Sequence, residues 1–113
     1  MIVKEQLSPI QVREKVIADY KKTWASGSGP VMLNLNIAIG CSDDDARLFF
    51  DDELVFLVDE SWNMAHALVA VGLFDSMGDA KKANRVSPIP TGFNDRLFGN
   101  KQTIVRITTL NIQ

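Results

Sequence analysis

Between Val31 and Ile39 the chain alternates. Val31, Leu33, Leu35, Ile37 and Ile39 take the odd positions, and Met32, Asn34, Asn36 and Ala38 the even ones. A period of two predicts a strand with its odd side chains in the core. Two asparagines on the opposite side predict solvent or an interface there, and Gly40 ends the run. Upstream, Val12, Val16, Tyr20 and Trp24 recur at four-residue spacing with Ile17 beside them. This predicts an amphipathic helix that opens with Ser8 as N-cap and Pro9 at the first helical position and runs to about Trp24. Residues 1–7 read as an extended lead, and Ser26-Gly27-Ser28-Gly29-Pro30 as a loop.

Beyond Gly40, Ser42 followed by Asp43, Asp44 and Asp45 reads as an N-cap with a negative first turn, opening a short helix through Phe49. Leu54–Val58 is an unbroken apolar run, the signature of a strand buried on both faces. Ser61 then caps a helix with Asp59 and Glu60 near its positive end. Met64, Ala65, Leu68, Val69 and Val71 share a face of this helix, and Gly72 suits its C-terminal cap. Ser76 and Asp79 form an S-x-x-D start for a second short helix, which closes on Lys81 and Lys82. Val86 to Asn100, with Pro88, Pro90, Gly92, Asn94 and Gly99, reads as a loop pinned by Phe93, Leu97 and Phe98, with a turn at Gly99-Asn100. Thr103 to Ile112 is a β-branched final strand. The expected fold is α+β, a single domain over residues 1–113. It has an N-terminal helix, a small mostly antiparallel sheet from 31–39, 54–58 and 103–112, and a helical pair packed on it.

The pair at 61–85 carries a local pattern. Gly72, Leu73, Ser76, Ala80, Lys81 and Lys82 fall in the register G-L-x-x-S-x-x-x-A-K-K. This resembles the alpha-L RNA-binding motif shared by a small-subunit ribosomal protein, bacterial tyrosyl-tRNA synthetases and many pseudouridine synthases. The resemblance implies that Lys81 and Lys82 face RNA phosphates. The family continues into a glycine, a short strand and an N-G turn, whereas this chain continues Val86-Ser87-Pro88-Ile89-Pro90.

Charge changes the picture more by its distribution than by its total. The net charge is −2, which gives no global attraction to nucleic acid. Residues 1–40 carry five basic and three acidic residues, residues 41–80 one basic and ten acidic, and residues 81–113 six basic and one acidic. Opposite blocks of this kind can neutralise each other, face a partner, or face further copies of the chain. Lys81, Lys82, Arg85, Arg96, Lys101 and Arg106 could form a phosphate-binding patch. Trp24, Trp62, Phe93 and Phe98 are candidate anchors for a protein interface.

Candidate chemistry is thin. One cysteine and one histidine exclude an internal disulfide and the usual zinc sites. Asp43-Asp44-Asp45 and Asp51-Asp52-Glu53 lack calcium-loop spacing. His66 has no carboxylate at catalytic spacing, and phosphate-loop, dinucleotide and nucleophile-elbow motifs are absent. No apolar run is long enough to span a membrane, and Met1 to Pro9 has no signal-peptide core. The expectation is a cytoplasmic, non-catalytic module without cofactor or metal. It assembles with itself or with a protein partner; the alternative is a small RNA-binding accessory domain.

Overall fold

The computed structural model describes residues 1–23, 31–99 and 103–113, leaving aside the side chains of residues 22, 23, 31 and 103. Trp24, the loop 26–30, Asn100 and Lys101 lie outside the described residues. One sheet holds β1 (Ile2–Val3), β3 (Val55–Val58), β2 (Val31–Ile39), β5 (Thr103–Asn111) and β4 (Gly92–Gly99), in that spatial order. The helices are α1 (Pro9–Thr23), α2 (Asp43–Phe50), α3 (Met64–Ala70) and α4 (Met77–Lys82).

Helices and sheet combine as expected, but the pairing differs. β1–β3, β3–β2 and β2–β5 are parallel, and among the described strands only β5–β4 is antiparallel. The cause is connectivity. α1 and α2 each lie between successive strands, and a helical crossover sets strands parallel where a tight hairpin would reverse them. The segment expected to be a loop contains β4. Its eight residues, G-F-N-D-R-L-F-G, lack β-branched side chains, and the ladder to β5 from Gly92↔Asn111 to Gly99↔Ile104 holds them extended.

The odd positions of β2 do face the core. Leu33, Leu35, Ile37 and Ile39 pack with Phe56, Val105 and Ile107 against Val12 and Val16 of α1 and Met64, Ala67 and Leu68 of α3. Each such side chain contributes about 1.5–3 kcal/mol relative to exposure.

The helical pair forms with a shifted start. Ser61 does not cap α3; its backbone N–H donates to Asp59 Oδ1 at 2.8 Å. Asn63 is the N-cap, accepting from Ala65 N–H at 2.8 Å, and its own N–H donates to His66 Nδ1 at 3.1 Å. The end is as expected. Gly72, at φ +82°, sits in the left-handed region; its N–H donates to Val69 O while Leu73 N–H donates to Leu68 O. This is a Schellman closure. α4 ends the same way, with Asn84 at φ +58° donating to Lys81 O and Arg85 to Ala80 O. Arg13 of α1 ties the pair down: its Nε donates to Val69 O at 2.9 Å and its Nη2 to Phe74 O at 2.8 Å.

Among the described residues, α2 is the one helix on the second face of the sheet. Ala46 and Phe50 cover Ala38, Val55 and Leu110. A helix of eight residues is about 12 Å long, whereas the nine-residue strands β2 and β5 each extend about 30 Å. Much of this face is therefore left without a covering layer.

Candidate functional site

Two surfaces remain for function, one on each side of the sheet. The first lies on the helical side, where the basic residues gather. Lys81 and Lys82 close α4, and Arg85 follows the Asn84 turn; all three are exposed. Arg85 lines an open cavity of about 360 Å³ with Leu68, Leu73, Phe74, Phe98 and Gly99. Arg96 is exposed on β4, on the same face as Phe98, since the two are separated by two residues. Among the described residues, Lys81, Lys82, Arg85 and Arg96 form no salt bridge. Phe98 is half-buried against the core, so it forms the floor of this cavity and not a protruding anchor. Trp62 is a correction to the expected interface set. It is buried in the core, its ring stacked on His66 with centroids 5.2 Å apart.

The second surface is the open part of the opposite sheet face. Phe93, Asp95 and Leu97 of β4 lie there, opposite Leu110, Thr108 and Arg106. Leu97 is 66% exposed and Phe93 49%. Phe93 stacks on Phe49 at 5.5 Å and tilts against Phe50 at 6.0 Å, so α2 holds its ring in place. Phe49 and Leu48 are themselves 50% and 82% exposed. A cavity of about 200 Å³ opens beside this apolar group, lined by Asn34, Asn36, Phe50, Glu53, Phe93, Asp95, Arg106 and Thr108. Of the two asparagines expected on this side, Asn34 is exposed. Asn36 is buried, and its Nδ2 donates to Leu54 O at 2.9 Å.

Electrostatics order this cavity. Arg106 Nε donates to both oxygens of Asp95, at 2.9 and 3.0 Å, and Nη2 adds a further contact to Oδ2. Thr108 Oγ1 donates to Asp95 Oδ1 at 3.3 Å. Arg106 first, with the Thr108 hydroxyl in support, holds the Asp95 carboxyl below the usual carboxylate range. Sequence reasoning missed Asp95, Thr108 and Glu53 as a group. The available signal was a polar register, Asn34-Asn36 and Arg106-Thr108, on one side of two strands whose other side is apolar.

The remaining candidates stay apart. Cys41 Sγ donates to Ile39 O at 3.4 Å. Burial, and then Asp45, push its thiol up, the reverse of what an attacking thiolate needs. His66 serves its own helix, accepting the Asn63 N–H. Burial lowers its pKa most; Asp59 opposes that and Lys81 adds to it. Among the described residues no group of three or more His, Cys, Asp or Glu side chains is placed to hold a metal ion. Among them, no helix is long and apolar enough to cross a membrane. In comparisons with protein-family models, curated proteins and solved structures, nothing matches this chain.

Proposed function

We propose that the protein is a non-catalytic interaction module that docks a protein surface, from a partner or from another copy, on the uncovered sheet face. One observation carries this reading. Phe93 and Leu97 are exposed on the open face of β4, and the exposed Phe49 of α2 stacks on Phe93; the sheet is mostly parallel, and sheets of that kind are ordinarily covered on both faces. An aromatic held in place by its neighbours is also a favoured interface anchor. The acidic residues Asp51, Asp52 and Glu53 follow α2 beside this face, so the complementary surface is basic.

A photo-crosslinking residue at position 97 tests this in the source cells, with the exposed Glu14 on α1 as the control position. Expected is one discrete adduct from position 97 that is absent from position 14 and lost with Phe93→Asp. No adduct, together with a constant monomer mass in sedimentation at rising concentration, removes the reading.

The cation cluster supports a second reading, RNA binding. Arg85 lines a cavity with two phenylalanines, and Lys81 and Lys82 precede it at the end of α4; cations with aromatic rings suit phosphates and stacked bases. If these cations contact phosphates, log affinity for single-stranded RNA falls linearly with log salt, by about 0.7 per contact. Replacing all three flattens the slope by about two units. RNA affinity no greater than that of an acidic control protein excludes this second reading.

A further inference from the structure

Among the described residues, the cavity beside Phe93 is lined by two carboxylates and one guanidinium. Asn36 is more than nine-tenths buried. With Nδ2 given to Leu54 O, its Oδ1 accepts no hydrogen bond among the described residues, although the side chain lines the cavity. Glu53 is exposed and forms no salt bridge among the described residues. Asn34 adds a second amide, and the rings of Phe50 and Phe93 form walls. Among the described residues the one cation in the lining, Arg106, already holds both oxygens of Asp95. Glu53 and Asp95 against Arg106 leave the lining with one excess negative charge. An anion entering here meets two carboxylates against one guanidinium, whereas a cation finds the Glu53 carboxylate and an amide oxygen.

We propose that this cavity receives a basic side chain, an arginine guanidinium, from the protein that docks on the sheet face. The proposal rests on the docking reading above and names the chemistry of its partner. Arginine suits the lining better than lysine for two reasons. Its planar fork carries five donors, enough to reach Glu53 and Asn36 Oδ1 together. Its weakly hydrated face also stacks on phenylalanine, which a compact, strongly hydrated ammonium does less well.

The test uses the whole protein, isotopically labelled, in low salt. N-acetyl-arginine amide, its neutral isostere N-acetyl-citrulline amide, and N-acetyl-glutamate amide are titrated in turn and followed by nuclear magnetic resonance. The expected result is saturable binding of the arginine probe, with a dissociation constant of about 1 mM, as suits so small a ligand. It should shift the side-chain amides of Asn34 and Asn36 and the backbone amide of Thr108. Citrulline should bind at least about tenfold more weakly, and Glu53→Gln should weaken the arginine probe by about the same factor. Glu53 is exposed, so that variant keeps its fold, and unchanged chemical shifts outside the cavity verify this. The proposal is overturned if arginine and citrulline bind alike, if Glu53→Gln changes nothing, or if only the glutamate probe binds. The two readings fail separately. Arginine binding with no adduct at position 97 and a constant monomer mass removes docking and keeps the cavity. An adduct whose yield is indifferent to Glu53→Gln keeps docking and removes the guanidinium.

Discussion

Leu35 and Asn36 are neighbours on β2 that point to opposite sides of the sheet, and both are buried. Leu35→Asp places an unpaired charge in the core and should unfold the protein, since such a group costs several kcal/mol. Asn36→Asp should also be costly, by about 1–3 kcal/mol, because it replaces a donor with a carboxylate facing the Leu54 carbonyl. Asn34→Asp, on the same side but exposed, should change the melting temperature little. Denaturant melts of the three variants check that order. His66 makes a second prediction at this scale. Its pKa is depressed in the folded state, so the unfolded chain takes up its proton first as pH falls. The associated stability is complete above the ordinary imidazole pKa of about 6.5 and is lost as pH drops through the depressed folded value. His66→Gln keeps an acceptor for the Asn63 N–H and should flatten the loss of stability between neutral and mildly acid pH. An unchanged pH profile would assign that loss to other groups.

Among the elements, α1 and α3 are joined by the packing of Val12 and Val16 and, at the end of α3, by one charged side chain. Arg13 donates to Val69 O, at the end of α3, and to Phe74 O beyond the Gly72 turn. Arg13→Ala should leave carbonyls without their charged donor and cost about 1–3 kcal/mol. It should also speed hydrogen exchange in the turn 72–74 more than in β2, and equal acceleration in both would count against a local tie. Both closures of the helical pair, at Gly72 and Asn84, satisfy last-turn carbonyls. The first was legible because glycine at the end of an apolar-periodic run has few other uses. α1 and β2 were legible for the same reason, since each keeps its period over several repeats. The start of α3 was not, because Ser61 and Asn63 are both good caps and the choice rests on the partner each finds: Asp59 for Ser61, His66 for Asn63. β4 was hidden because its faces mix Phe93, Asp95 and Leu97 on one side with Asn94, Arg96 and Phe98 on the other, a pattern with no alternation of polarity. Sheet direction was hidden by β1, two residues that no periodicity can mark. Seen as a strand, it turns the N-terminal half into the order strand, helix, strand, helix, strand, and such an order predicts parallel pairing. In the candidate site, the sequence marks Phe93 as a candidate interface anchor, although the same residue is expected to pin a loop to the core. Its polar neighbours were not legible, because their grouping depends on the register of β4 against β5.

For the molecule as a whole, each side of the sheet carries charges of both signs. The helical side carries Lys81, Lys82 and Arg85 near a cavity with an aromatic floor, and the open side carries α2 with its acidic first turn and the Glu53 turn. At the centre of the sheet β2 and β5 run side by side, with Val31 opposite Thr103, 72 positions later in the chain. Closing so long a loop slows folding without greatly changing stability. On a ribosome adding about 5–20 residues per second, β2 waits several seconds for the neighbour that completes it. Its apolar edge stays open for all of that time, a recognised hazard for strand-to-strand aggregation. A chain stopped before Thr103 should therefore be insoluble or chaperone-bound. If the missing strand is then supplied as a separate peptide during refolding, soluble protein should be recovered, and a peptide with Val105 and Ile107 both changed to lysine should fail to recover it.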